Sequence, residues 1–188
     1  MANKQASRIP NPLALNMYVL GYDGKKKLAN LNQAVKENLQ TYLGQYRMVT
    51  DAINIKNAYI INIGVKFEIM TRPNYNKNEV LVRAIEEVKT FFDIDRWQIN
   101  QPIILTDLVY KLSLVDGVAA VPAPKENNPQ SLPIIITNKY KSANGYSGNL
   151  YDMDAATKNG IIYPSLDPSI FELKFPGTDI EGRVVGDG

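Results

Sequence analysis

The chain of 188 residues contains neither histidine nor cysteine. Histidine is the commonest general acid–base group and metal ligand, and cysteine is the best thiol nucleophile, so these absences remove much of the usual catalytic chemistry. Without cysteine there is also no disulfide framework. The composition therefore favours a protein that binds or assembles over an enzyme, and no catalytic residue, metal or cofactor is predicted.

The sequence also lacks a strong net charge and a long apolar run. Its formal charge is only +2, and its lysines are scattered apart from Lys25–Lys27, so no basic stripe indicates nucleic acid as a partner. The longest apolar stretches, such as Ala58–Ile61 and Pro133–Ile136, are far shorter than the roughly 20 residues that span a bilayer. The first residues show no signal-peptide pattern. We expect assembly in a cytoplasm, with no membrane partner.

The first half of the chain contains clear strand and helix patterns. Leu13–Leu20 is an apolar run that predicts a buried strand, and apolar residues three to four apart predict a helix over Leu28–Tyr46. Alternation over Tyr59–Met70 predicts a long strand with one buried face. Three polar residues are expected to keep the other face soluble: Asn62, Lys66 and Glu68.

A second amphipathic helix is predicted after Asn76, because Asn76 and Glu79 form an N-terminal capping pattern. Thr106 is the expected cap of a short third helix, Gly117 its stop, and Val118–Val121 a further strand. Residues 13–121 are therefore predicted to form an α+β body. In it, two amphipathic helices lie on one face of a small mixed sheet, in a split βαβ, ferredoxin-like arrangement.

The composition changes after this body. Residues 122–131 are rich in proline and asparagine and predict an exposed linker. Residues 132–188 contain short strand patterns and Asn-Gly turn dipeptides, which predict a β-rich, turn-rich C-terminal extension. In its last strand pattern, Phe171–Phe175, Glu172 is expected on the face away from the aromatic residues.

Three patterns invite comparison with chemical sites. The turn Gly21–Lys27 has only two residues between its glycines and a lysine where phosphate loops carry Ser or Thr, so a solvated turn is favoured. Two aspartate pairs, at 93 and 95 and at 152 and 154, lack the further oxygens that a hard cation needs. Two carboxylates could suffice for hydrolysis, but no pair among the 19 acidic residues is marked by the sequence.

Tyrosine is abundant, with 11 residues, and several lie in the predicted extension. Aromatic side chains with a polar tip are favoured at protein interfaces, but they also pack small cores, and the sequence leaves both roles open. We expect residues 130–183 to form the main intersubunit contact, so that their removal abolishes assembly while the body stays folded. The predicted partner-interface residues are Tyr140, Tyr146, Tyr151, Tyr163 and Phe171.

Four segments carry a family resemblance: Leu39–Val65, Trp97–Val121, Ile161–Pro176 and Ile180–Arg183. They resemble the baseplate J-like family, which includes wedge proteins of large contractile-tailed bacteriophages. The first segment is similar to the helix-to-strand passage of that family, and the last two are similar to the C-terminus of the wedge proteins. The resemblance extends from about residue 13 to residue 183. Because such wedge proteins are usually longer, we expect the chain to be either a C-terminal fragment of one or a reduced homologue.

The resemblance implies a structural role in the virion. Such wedge proteins form a ring around the central hub of the tail baseplate, and the ring relays the conformational change that triggers sheath contraction. Their implied partners are a second copy, other wedge subunits, and sheath-initiating or hub-proximal tail proteins. No cofactor and no catalytic or metal-binding residue is implied.

Two other functions stay open on the sequence. A free-standing module that binds a peptide or small ligand, for example along an unpaired edge of the long strand, would be a monomer with a defined pocket. A carboxylate-based hydrolase would need two acids that converge in a cleft.

Overall fold

A computed structural model of the chain describes residues 15–46, 52–122 and 133–186. These residues form a mixed α+β structure with several open sheets, which confirms the predicted α+β class. The chain divides into two compact units, Met1–Ala58, called unit 1, and Tyr59–Gly188, called unit 2. Within the described ranges, no helix has the length and apolar character needed to cross a membrane.

Unit 1 is a strand–helix–strand structure with a small hairpin. Its elements are β1 (Leu15–Val19), β2 (Gly21–Tyr22), β3 (Leu28–Ala29), α1 (Gln33–Gly44) and β4 (Ile53–Asn57). β1 and β4 pair in parallel, so α1 is the crossover between them. The helix begins where the side-chain oxygen of Asn32 accepts a hydrogen bond from the N–H of Val35 at 2.9 Å.

The structure of unit 1 differs from the sequence prediction in three ways. β1 lies within the predicted buried strand Leu13–Leu20, but none of its residues is buried. The helix begins later than Leu28, because β3 pairs with β2 and closes a hairpin. The strand that returns beside β1 is β4, a short segment that the sequence pattern did not mark, whereas the predicted long strand belongs to unit 2. The expected ferredoxin-like arrangement is therefore not confirmed.

Unit 2 is built around β5 (Tyr59–Thr71), a strand of 13 residues that confirms the predicted long strand. β11 and β12 pair in parallel with β5, β7 and β8 pair antiparallel with it, and β6, β9 and β10 form a separate small sheet. The other elements are α2 (Lys77–Phe91), β6 (Ile103–Ile104), α3 (Leu105–Ser113), β7 (Val118–Ala120), β8 (Ile134–Asn138), α4 (Met153–Ala156), β9 (Thr157–Lys158), β10 (Ile161–Ile162), β11 (Ser169–Glu172), α5 (Pro176–Asp179) and β12 (Ile180–Val184).

Each edge of β5 carries two strands in succession. The N–H of Val185, just beyond β12, donates to the carbonyl of Ile69, so the odd-numbered residues of β5 bond towards the edge with β11 and β12. The N–H of Lys139, just beyond β8, donates to the carbonyl of Asn62, so the even-numbered residues bond towards β8 and β7. β5 is therefore the central strand, hydrogen-bonded on both sides.

The core of unit 2 lies between the odd-numbered side chains of β5 and the helices α2 and α3. Asn76 caps α2 as predicted, since its side chain accepts bonds from two backbone N–H groups of the first turn. Thr106 does not cap α3, because the helix already begins at Leu105. The buried apolar side chains of this core include Ile61, Ile63, Val65, Phe67, Ile69, Val80, Ala84, Val88, Leu105, Leu108 and Leu112.

The predicted C-terminal extension completes the sheet of the predicted body. β8, β11 and β12 are three of the four strands that pair with β5. Removing residues 130–183 would leave β5 unpaired along most of both edges, which argues against the expectation that the body survives this deletion. The predicted linker 122–131 lies, apart from Pro122, outside the described residues.

Candidate functional site

The first half of β5 is buried on both faces, and Asn62 lies in the centre of a polar network. Asn62 is 0% exposed, so the prediction that it keeps this face soluble is wrong. Its side-chain oxygen accepts a bond from the N–H of Ser147 at 2.8 Å, and its Nδ2 donates to Oε1 of Glu172 at 2.8 Å. Glu172 is buried as well, because β11 packs beside this doubly covered part of the sheet.

The segment 139–151, called the strap, takes the place of a strand beside the start of β5. The Ser147 Oγ and the Asn149 Nδ2 both donate to the carbonyl of Ile60, at 2.7 and 2.9 Å. Asn138, at the end of β8, holds the strap by donating to the carbonyl of Asn149 at 3.3 Å. Side chains therefore satisfy a backbone group that a neighbouring strand would otherwise satisfy.

Tyr146, one of the predicted interface residues, anchors the strap. Its hydroxyl donates to Oδ1 of the buried Asp179 at 2.5 Å, and its ring packs edge-on against Phe175 with centroids 5.4 Å apart. Burial, together with the hydrogen bond and the charge of Asp179, raises the pKa of Tyr146 to about 12. The folded state therefore favours the neutral, protonated form of this hydroxyl.

We expect the fold to lose stability in alkaline solution as this hydroxyl ionises. An unfolded tyrosine ionises near pH 10, whereas Tyr146 in the fold keeps its proton up to about pH 12. Its stabilising contribution is complete below pH 10 and is lost as the pH rises towards 12. Urea unfolding between these pH values should show a steeper fall for the wild type than for Tyr146→Phe. Equal falls in the two proteins would contradict the assignment.

The remaining predicted interface residues divide between core and surface. Phe171 lies in β11 and is 1% exposed, so it is a core residue. Tyr151 packs edge-on against it with centroids 6.0 Å apart, and its hydroxyl donates to the carbonyl of Tyr163 at 2.6 Å. Burial raises the pKa of Tyr151. The side chains of Tyr140 and Tyr163 are exposed and available to a partner.

Helix α1 of unit 1 presents an apolar face that the described structure leaves open, since none of its residues is buried. Val35 and Tyr42, seven residues apart on one face, are 44% and 55% exposed, and Tyr46, just beyond the helix, is 70% exposed. These three residues are called the α1 stripe. The rings of Tyr42 and Tyr46 lie 5.1 Å apart, and a hydrogen bond between their hydroxyls raises the pKa of Tyr46. Lys36 and Glu37 are the only charged residues of the helix.

A cleft of about 300 Å³ lies in unit 2 between the end of α2 and the start of α3. Phe91 and Trp97 contribute apolar walls, and Arg96, Asp107 and Lys111 bring charges of both signs to its rim. The indole Nε1 of Trp97 is buried and has no hydrogen-bond acceptor among the described residues.

The acidic patterns considered in the sequence serve local structure. Asp23 accepts bonds from two backbone N–H groups in the turn between β2 and β3. Asp93 accepts a bond from the N–H of Asp95 at 3.1 Å, and Asp152 caps α4. In the part of the chain that the structure describes, no three His, Cys, Asp or Glu side chains come together as a metal-ligand group.

Asn62 and the strap were not found by the sequence analysis, although one signal pointed to them. Gly64 lies inside the pattern of β5, and a glycine there marks a close approach of another segment. A Cβ at this position would lie 2.8 Å from Oγ1 of Thr137 and 3.3 Å from the carbonyl oxygen of Asp179. The glycine therefore permits this face of β5 to be covered.

Comparison with known proteins adds no family to these observations. No protein-family model matches the chain. No curated protein sequence matches it either. A functional assignment therefore depends on the surfaces described above and on the sequence resemblance.

Proposed function

We propose that the chain is a structural subunit of a phage tail baseplate wedge and that it acts through contacts with other proteins. The resemblance to the baseplate J-like family suggests the assembly, and the α1 stripe supports a role within one. In this proposal the protein is part of the virion, has no catalytic activity, and relays the conformational change that triggers sheath contraction. Its partners are a second copy, other wedge subunits, and sheath-initiating or hub-proximal tail proteins.

The α1 stripe is the observation that carries the proposal. An exposed helical face that is apolar and poor in charge has the composition of the centre of a protein interface. Complete burial of a valine or aromatic side chain contributes about 1.5–3 kcal/mol, so covering the stripe would stabilise a complex substantially. Tyrosine is also among the residues enriched where binding energy concentrates.

The small size of unit 1 adds to this argument. Among the described residues, β1 and β4 pair only with each other, and a two-stranded sheet has marginal stability by itself. α1 contacts this sheet through half-buried residues only. The partner that fits the α1 stripe is therefore an apolar, uncharged surface of a different wedge subunit, which would complete the burial that unit 1 lacks.

Charge placed in the α1 stripe is expected to break the complex. The full chain is co-expressed with the proteins encoded beside its gene, and complexes are measured by light scattering after size-exclusion chromatography. Val35→Glu and Tyr42→Glu should each weaken binding by about tenfold or more, because a buried charge without a partner costs more than 1.4 kcal/mol. Thr41→Glu adds the same charge to the same helix outside the stripe and should leave the complex intact.

Circular dichroism of each variant checks that the chain remains folded. A complex that survives both stripe substitutions would refute the assignment of this surface. If no neighbouring tail protein binds the wild-type chain at all, the wedge proposal itself is wrong.

A further inference from the structure

β12 lies at one edge of the sheet of unit 2 and pairs with β5 alone among the described strands. The N–H of Val185, which follows β12, donates to Ile69 of β5. Because the N–H groups of a strand alternate between its two sides, those of Ile180, Gly182 and Val184 face outwards. The outer edge therefore offers alternate N–H and C=O groups to a further strand.

The exposed face beside this edge carries charges that alternate in sign. The Nζ of Lys66 lies 3.0 Å from the carboxylate of Glu181, and the guanidinium of Arg183 forms an ion pair with Glu68. These side chains face solvent on the side of the sheet away from α2 and α3. Along β12, a negative and a positive charge are thus two residues apart, with Gly182 between them.

We propose that β12 pairs antiparallel with β12 of a second copy, about a two-fold axis at Gly182. Glu181 then lies opposite the partner's Arg183, and Arg183 lies opposite the partner's Glu181. The two sheets join into one, and each β12 charge has neighbours of opposite sign on both sides. A two-fold axis perpendicular to the sheet makes the contact isologous, so the same surface patch of each copy contacts its equivalent on the other copy.

The charges select this register. If the axis passed through Glu181 or Arg183, that residue would face its own copy, with like charges about 5 Å apart. An axis at Gly182 avoids both repulsions. It also sets all three outward-facing residues opposite one another as hydrogen-bonded pairs, whereas either shifted axis pairs only two of them.

The opposite face of the sheet also permits the contact. A Cβ on Gly182 would lie 2.6 Å from Cζ of Phe67 and 2.9 Å from Cδ1 of Leu81, so the glycine lets α2 pack directly on β12. Leu81 stays half-buried there. The two-fold axis keeps both α2 helices on the same face, where the second copy adds apolar cover at this edge.

Charged side chains on an edge strand commonly prevent pairing with other chains. Here the two signs are placed so that the same residues admit a second copy and exclude a strand without the reversed pattern. The inference rests on the proposed function in taking the chain as an assembly subunit. It uses a surface other than the α1 stripe, so the two proposals can fail separately.

The decisive experiment reverses all four charges in the full chain, by Lys66→Glu, Glu68→Lys, Glu181→Lys and Arg183→Glu together. Both ion pairs within the chain are retained, and so are the pairs between two reversed copies. Wild type mixed with the reversed form would place like charges opposite each other. In sedimentation, we expect the wild-type protein and the reversed form each to dimerise when alone. When the two are mixed, random pairing would make half of the dimers mixed. Energy transfer between labelled wild-type and labelled reversed copies should fall far below the level expected for that fraction.

A backbone variant tests the strand contact itself. Val184→Pro removes an outward N–H without touching a bond to β5, and symmetry removes two hydrogen bonds from the dimer. We expect the dissociation constant to rise by about tenfold or more. Val184→Ala keeps the N–H and serves as the matched control, with a change of less than about threefold.

A wild-type chain that remains monomeric at high concentration would overturn the inference, and so would free mixing of the wild-type and reversed forms. If either result is found while the complexes that need the α1 stripe persist, the wedge proposal stands and only this dimer contact is wrong. Thermal unfolding of every variant confirms that the sheet is intact.

Discussion

Replacement of Asn62 by leucine is expected to destabilise the protein by about 3–5 kcal/mol. The two side chains are similar in size, so the cost comes from lost hydrogen bonds. Without the amide, the N–H of Ser147 has no acceptor and the carboxylate of Glu172 loses a donor, and both groups lie in or beside the buried network. Urea unfolding followed by circular dichroism measures the change.

Lys66→Leu is the matched control for this substitution. Lys66 lies four residues further along the same face of β5, but its ion pair with Glu181 is about half exposed and contributes at most about 1 kcal/mol. We expect the free energy of unfolding of this control to lie within about 1 kcal/mol of the wild-type value. If Asn62→Leu lowers the free energy of unfolding no more than the control does, the buried network does not stabilise the fold.

A chain that ends at Pro122 is expected to lose the fold of unit 2 completely. It lacks β8, β11 and β12, three of the four strands that pair with β5. The side chains of Ile63 and Val65, now 0% exposed, would lose much of their cover, and the N–H and C=O groups along β5 would lose their partners. The truncated chain should show no cooperative urea transition for this unit.

A fragment that begins at Tyr59 is the complementary control. It retains every described element of unit 2, which forms a compact unit within the chain. We expect this fragment to give a cooperative transition and well-dispersed amide signals in NMR spectra. A truncated chain with the same dispersed signals would contradict the central position of β5.

The elements that were predicted correctly are those whose pattern is local. β5 alternates over its whole length, and α2 has a capping residue followed by apolar residues at helical spacing, so each is specified by its own residues. β4 was missed because five residues with weak alternation, flanked by a much stronger strand, give little signal. The division at Ala58 was missed because only pairing partners, and no change in composition, separate the units.

The predicted surfaces had mixed outcomes for the same reason. Asn62 looked like a surface residue because its burial depends on Ser147, 85 residues away, and on Glu172, 110 residues away. The apolar face of α1 was visible in the sequence, but a helical pattern does not tell whether another segment of the chain covers it. For Tyr146, the buried Asp179 that binds its hydroxyl follows it by 33 residues, beyond the reach of local patterns.

The parallel pairing of β12 with β5 has a consequence for biosynthesis. Arg183 lies beside Glu68, 115 positions later in the chain, so the sheet around the central strand cannot close until residues 180–184 have left the ribosome. Loops of this length close late and slowly, and until then the partly folded chain exposes unpaired strand edges that are prone to aggregation. Newly made chains should therefore depend on chaperones and should aggregate at high expression temperature.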